Sequence, residues 1–273
     1  MDFTEKLRRI QRKNGSLLCI GLDTELSRIP KQLRRRADAQ FEFNRRIIEA
    51  TKDLVCAYKL NIAFYESAGE RGWSTVHRTL AAIPRGIVTV GDGKRGDIQS
   101  SAEKQAALFC GDWKFDASTV NPYMGFDAVE PFIRREEQGA FILAVTSNRG
   151  SMDFQQLKVK GRPLYEQVIR AASKWNTRKN VGLVVGATRP AELKRSRALA
   201  PGMPFLIPGI GAQKGDLRST VRYGCDARGE LALINVGRSV IYASPGDDFA
   251  DAARGAAISY RDEINAYRET FFG

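Results

Sequence analysis

Eight times along the chain a short, nearly all-apolar run rich in β-branched residues stops at a polar residue, and most of these runs lead into a helically spaced segment. The runs are Ser16–Asp23, Ala57–Asn61, the stretch from Ile87, Ser118–Asn121, Ala140–Thr146, Val181–Ala187, Pro204–Ile210 and Ala232–Val236. Val, Ile and Thr suit a pleated surface, and runs without polar alternation suit strands buried on both faces, hence a parallel sheet covered by helices. Eight such units within 273 residues predict one domain, residues 1–273, folded as an α/β, (β/α)8 TIM barrel. An open doubly wound sheet fits less well, because no G-x-G-x-x-G follows the first run. Helical spacing covers Phe41–Leu54, Trp73–Ile83, residues 100–110, Leu164–Trp175, Pro190–Leu199 and a long C-terminal helix, Phe249–Glu269, besides a short N-terminal helix. Ser100 or Ser101 is available to cap the helix at 100. Ser147–Gly161 reads as a polar loop, and no helix is assigned between Asp216 and Ala232.

Several function classes are disfavoured at once. The single histidine, His77, lies in a helix without partners, which weakens any Ser-His-Asp or Cys-His chemistry. Cys19, Cys56, Cys110 and Cys225 show no C-x-x-C spacing, so neither disulfides nor a zinc site is expected. No apolar run is long enough to span a membrane and no signal peptide is evident, so no membrane association is expected and a cytoplasmic protein is. The formal charge of +12 favours an anionic small molecule or a polyanion. The basic clusters Arg8–Lys13 and Lys31–Arg36 lack interleaved aromatics, however, and read as solvated surface rather than a nucleic-acid patch.

In a parallel barrel the βα loops build the site, and the polar strand-end residues are the ones such a loop face would gather. The densest such stretch is Ile87–Ile98, where Asp92 and Lys94 are two apart and share a strand face, with Asp97 close behind. Lys59 and Asn61 share a face of their own strand, and Asp23 is the first strand-end acid. Lys59, Asp92, Lys94 and Asp97 would form an alternating charged array, suited to stabilising a carbanion and delivering a proton to it. The late loops, Pro208–Gln213 and Val236–Arg238, combine small residues with one guanidinium, as a phosphate monoester requires.

These motifs together, Gly21-Leu22-Asp23, Lys59-Leu60-Asn61, Asp92-Gly-Lys94-Arg-Gly-Asp97-Ile98, Asn121-Pro-Tyr-Met-Gly125, Thr146-Ser147-Asn148, Pro208–Gln213 and Asn235–Arg238, closely resemble orotidine 5′-monophosphate decarboxylase in its longer bacterial form, over nearly the whole chain. The resemblance implies a (β/α)8 barrel that converts orotidine 5′-monophosphate to UMP and CO2 with no metal or organic cofactor. It implies that Lys94 stabilises and protonates the C6 carbanion, that Asp92 faces the substrate carboxylate, that Lys59 completes the charge network, and that Asp23 contacts a ribose hydroxyl. Ser147 would read the pyrimidine amide, while Gln213, Arg238 and the Gly237 backbone would grip the phosphate. Asp97, Ile98 and Ser101 would reach into a neighbouring subunit's site, implying a homodimer with shared active sites. Three positions depart from the family pattern: Lys214 stands for glycine, Arg149 for proline and Ser101 for threonine.

Two rivals remain. A magnesium-dependent sugar-phosphate decarboxylase or aldolase on the same barrel shares D-x-K-x-x-D but expects an acidic metal ligand where this chain has Lys59. From a different class, a basic non-catalytic nucleic-acid-binding protein would use the +12 charge directly.

Overall fold

The computed structural model describes residues 1–211 and 215–273. Its elements, in chain order, begin with α1 (Phe3–Lys13), β1 (Leu18–Gly21), α2 (Lys31–Arg34), α3 (Ala39–Thr51), β2 (Ala57–Asn61), α4 (Ala63–Glu66), α5 (Glu70–Ala82) and β3 (Val88–Arg95). Then come α6 (Gln99–Ala106), continued by a π-helical turn to Asp112, β4 (Ala117–Val120), α7 (Phe126–Val129), β5 (Gly139–Val145), α8 (Ser151–Phe154), β6 (Lys158–Val159), β7 (Arg162–Pro163) and α9 (Leu164–Trp175). The chain ends with β8 (Val181–Val185), α10 (Pro190–Leu199), β9 (Phe205–Pro208), α11 (Leu217–Gly224), β10 (Ala232–Val236), α12 (Arg238–Ile241) and α13 (Phe249–Phe272). Eight strands close into a parallel barrel in the order β1-β10-β9-β8-β5-β4-β3-β2. The eightfold strand count, read from the apolar runs, is the count observed.

Near-continuous burial of the strands explains why their sequences are uniformly apolar: β1, β4, β8 and β10 are buried at every position. At the N-terminal mouth, Phe3 of α1 packs edge-on against Phe141 at 5.8 Å. A Cβ at Gly139 would meet the Phe3 ring at 2.6 Å, so only glycine lets β5 start beneath it. Gln11 of the same helix donates to the Ala232 carbonyl and accepts from the Leu231 N–H. The site-bearing C-terminal mouth is thus the open one.

Four sequence expectations are corrected. The segment 147–161 is not plain loop: it holds α8 and most of the β6–β7 hairpin, whose antiparallel pairing lies outside the barrel. Helix α11, unassigned from sequence, is started by Asp216, whose side chain accepts from the Arg218 and Ser219 N–H groups. Its Ser219, Arg222 and Gly224 hide the apolar stripe of Leu217 and Val221. The helix at 99 has Ile98 at its N-cap with no side-chain cap, because Ser100 and Ser101 already lie inside it. Finally, the first basic cluster is not simply solvated: Arg8 pairs with Asp226 and Glu230, and Arg12 with Glu230, tying α1 to the turn before β10. His77 is exposed and packs edge-on to Trp113. Among the described residues no helix is long and apolar enough to cross a membrane.

Candidate active site

A cavity of about 380 Å³ opens at the C-terminal mouth of the barrel. Asp23, Lys59, Asn61, Asp92 and Lys94 line one side of it, Thr146, Ser147 and Asn148 another, and Gly209, Ile210, Gly237 and Arg238 a third. They come from six strands, β1, β2, β3, β5, β9 and β10, or the segments just after them, which is why residues more than 200 positions apart meet. The described ends of the late loops pack tightly. Gly211 has φ +81°, and a Cβ there would fall 2.0 Å from Ser239 Oγ, so glycine is required where the loop after β9 meets α12. The Gly215 N–H donates to the Gly209 carbonyl at 3.0 Å, drawing the loop's ends together. Gln213 and Lys214 lie outside the described residues.

The charged side is a chain of short contacts. Lys59 Nζ stands 3.0 Å from Asp92 Oδ2 and 3.3 Å from Asp23 Oδ1. Lys94 Nζ donates to the other Asp92 oxygen, Oδ1, at 2.7 Å. Burial would push the Asp92 carboxyl up, but the ammonium groups of Lys59 and Lys94 outweigh it and hold the group well below the ordinary carboxylate range. Burial would likewise pull Lys59 down, but Asp23 and Asp92 hold it above the usual lysine value. Asp92 and Lys59 are therefore both ionised near neutral pH, with the Lys94 side chain half exposed to the cavity and Lys59 buried beneath it. Burial pushes the nearby Cys19 thiol up, so it stays protonated and donates to Asn235 Oδ1 at 3.5 Å.

Lys94 has φ +46°, a left-handed conformation unusual for a residue with a side chain. The pairing of β3 with β4 shifts register between Gly91 and Arg95, opposite only Ser118–Val120 on the neighbouring strand. This bulge takes Asp92, Gly93 and Lys94 out of the ladder with β4, while Asp92 still pairs with Asn61 of β2, and both charged side chains line the cavity.

Not every expected residue joins the array. Asp97 stands apart from it: its Oδ1 accepts from the Ile98 N–H, and it does not line the cavity. The chain turns away at Gly96, where a Cβ would meet the Asn121 carbonyl oxygen at 2.5 Å. The four-membered array read from sequence is thus Lys59, Asp92 and Lys94 joined by Asp23 within one chain, with Asp97 outside it. Ile98 is 53% exposed, and Ser101 is exposed on α6. One lining residue, Thr119, and one residue that braces the lining, Gln155, have no signal in the apolar pattern. Thr119 hydrogen-bonds both Asp92 and Lys94. Gln155 of the loop after β5 receives the Thr146 N–H at 2.9 Å and donates to Thr146 Oγ1 at 2.8 Å, bracing the segment that carries Ser147. Ser118 and Thr119 are adjacent polar residues on opposite strand faces, and Thr119 is the one that meets the cavity.

The Asp23–Lys59–Asp92 sandwich also bears on metals. An ammonium sits between two carboxylates that could otherwise share a cation, and among the described residues no group of three or more His, Cys, Asp or Glu side chains is placed to hold one.

Comparison with known proteins bears on the family of the chain. Residues 16–253 match the family model described as orotidine 5′-phosphate decarboxylase / HUMPS family. An orotidine 5′-phosphate decarboxylase of Dehalococcoides mccartyi is 47% identical over 275 residues, spanning 99% of this chain and all of that protein. One from Ralstonia nicotianae is 46% identical over 272 residues, spanning 98% of this chain and all of that protein. The solved structure of Leishmania donovani OMP decarboxylase superposes with a TM-score of 0.87 at 40% identity, covering 98% of this chain and 99% of that one. With the family model spanning most of the chain, full-length relatives near half identity and the same closed barrel, this chain belongs to the orotidine 5′-phosphate decarboxylase family.

Proposed function

We propose that Lys94 and Asp92 carry the chemistry of this chain, which decarboxylates orotidine 5′-monophosphate to UMP and CO2 in pyrimidine biosynthesis. The observation that carries the assignment is the 2.7 Å contact between Lys94 Nζ and Asp92 Oδ1 at the charged side of a cavity that also presents Arg238 and Gly237. With the phosphate held by Arg238 and the Gly237 backbone, and the base read by Ser147, the C6 carboxylate is directed toward Asp92. The C6–carboxylate bond breaks, its electron pair stays on C6, and CO2 leaves. The Lys94 ammonium stabilises that pair and then gives C6 its proton, replacing the lost carboxylate with hydrogen. Asp92, kept anionic by its two lysines, places negative charge beside the substrate carboxylate, and binding energy from the distant phosphate offsets that repulsion. Lys59 fixes Asp92 and Asp23, and Asp23 takes a ribose hydroxyl.

The reading is of a cytoplasmic enzyme without metal or organic cofactor, since Lys59 fills the place between the two carboxylates. It is also of a homodimer in which Asp97, Ile98 and Ser101 complete the neighbour's site. Support for that comes from Ile98, Tyr123, Met124 and Phe126, which are 53%, 85%, 51% and 46% exposed in the single chain. Large apolar side chains exposed together beside a site mark a contact surface. A spectrophotometric assay of orotidine 5′-monophosphate in the presence of EDTA tests the reaction: full turnover is expected, whereas loss restored by magnesium would favour a metal-dependent sugar-phosphate enzyme.

A further inference from the structure

We infer that Thr119 is a positioning residue whose single hydroxyl sets both members of the reacting pair, orienting the Asp92 carboxylate and holding the Lys94 backbone in its left-handed conformation. The inference rests on the assignment of Lys94 and Asp92 above. Thr119 Oγ1 donates to Asp92 Oδ1 at 2.8 Å and accepts the Lys94 N–H at 2.9 Å. A hydroxyl has one proton to give and lone pairs to receive, so these two bonds fix the direction of each.

The bulge explains why a side chain is needed here. Where β3 departs from register with β4, the Lys94 N–H bonds to the Thr119 hydroxyl rather than to a carbonyl of the neighbouring strand. A left-handed conformation at a residue with a Cβ is unfavourable and persists only where its surroundings compensate. Thr119 is 1% exposed, so water has little access to substitute for it, and its β-branch restricts the rotamer that aims the hydroxyl. On the other side, Asp92 Oδ1 takes both Thr119 and the Lys94 ammonium while Oδ2 takes Lys59. Loss of the hydroxyl would leave Asp92 to its two flexible lysines alone, and would free the turn that aims Lys94.

The test compares Thr119→Val, Thr119→Ala and Thr119→Ser with Lys94→Ala, measuring kcat on orotidine 5′-monophosphate, UMP affinity by calorimetry and thermal midpoint. Val keeps the shape and Ala the space, and neither has a hydroxyl. Both are expected to lower kcat roughly 10- to 100-fold, with UMP affinity within about threefold of the parent, and Ser is expected to restore most of kcat. Val and Ala within about twofold of the parent kcat, beside an inactive Lys94→Ala, would overturn the inference alone. A Ser variant that loses kcat, UMP affinity and thermal midpoint together with Val and Ala would overturn it in favour of a purely structural role. Should Val fail to fold, Ala against Ser decides on the same criteria. Near-normal turnover by Lys94→Ala would overturn the assignment beneath the inference and the inference with it.

Discussion

Lys59 and Asp92 form an ion pair, Nζ to Oδ2 at 3.0 Å, in which the lysine side chain is only 4% exposed. Removing two charges from water is costly, and the pair is tolerable because Asp23 lies on the far side of Lys59 and Lys94 and Thr119 occupy the other Asp92 oxygen. The chemistry proposed for Lys94 therefore sits on an electrostatic foundation that the fold itself must maintain.

That foundation can be measured. Lys59→Met keeps much of the side-chain volume but leaves Asp23 and Asp92 facing each other without a cation between them. It is expected to lower the free energy of unfolding by about 3–5 kcal/mol, the cost typical of removing one partner from a buried ion pair. Urea titration of both proteins reads it directly, and a change below about 1 kcal/mol would contradict the buried-network account.

The same groups set a pH dependence of defined sign. Asp92 is depressed below its ordinary 3.8, so its contribution is fully present above that value and is lost as pH falls toward its value in the folded state. Lys59 is raised above its ordinary 10.5, so its contribution is fully present below that value and lost as pH rises through its folded value. The stability difference between parent and Asp92→Asn should be flat from about pH 5 to 8 and shrink below about pH 4. Urea midpoints across that range check it, and a difference that stays constant into acid would be inconsistent.

Much of this site is legible in the chain because strand ends announce themselves. β2, α9, α10 and β10 occupy the residues that their apolar patterns indicate, and Asp23, Lys59, Asp92, Lys94, Ser147 and Arg238 all reach the cavity from strand ends or the loops after them. What the pattern does not carry is departure from regular geometry. Asp97 follows Lys94 by three residues, yet the turn at Gly96 sends it elsewhere, and no periodicity foretells that. Thr119 is invisible for a related reason: Ser118 and Thr119 are adjacent polar residues, and the apolar pattern does not say which of them faces Asp92, whereas the pairing of Gly91 with Ser118 does. Helix α11 is masked by its own arginines and glycine, while its cap, Asp216, is a signal that pattern reading passed over.

The loop after β5 gives a prediction about binding rather than chemistry. Gln155 makes two hydrogen bonds to Thr146, next to Ser147, so Gln155→Leu should loosen base recognition. With two neutral hydrogen bonds lost, KM for orotidine 5′-monophosphate is expected to rise about tenfold with kcat changed less than about threefold. Steady-state kinetics would show the split, and an unchanged KM would remove Gln155 from the account.

The shared-site reading predicts complementation. In a dimer of Lys94→Ala with Asp97→Ala, one site has both mutations and the other has an intact Lys94 with an intact Asp97 from the partner. Random mixing of two inactive variants, after unfolding and refolding together, should therefore recover about a quarter of the parent activity. Recovery of none would place Asp97 in its own subunit's site or outside the site altogether.

The most direct test of the central claim is the turnover of Lys94→Ala on orotidine 5′-monophosphate, followed spectrophotometrically alongside UMP binding and the thermal midpoint. Removal of the proton donor is expected to lower kcat by about 10³-fold or more while the fold and phosphate-dependent UMP binding persist. Decarboxylation by Lys94→Ala at a rate near that of the parent would contradict the assignment of Lys94 as the group that stabilises and protonates C6.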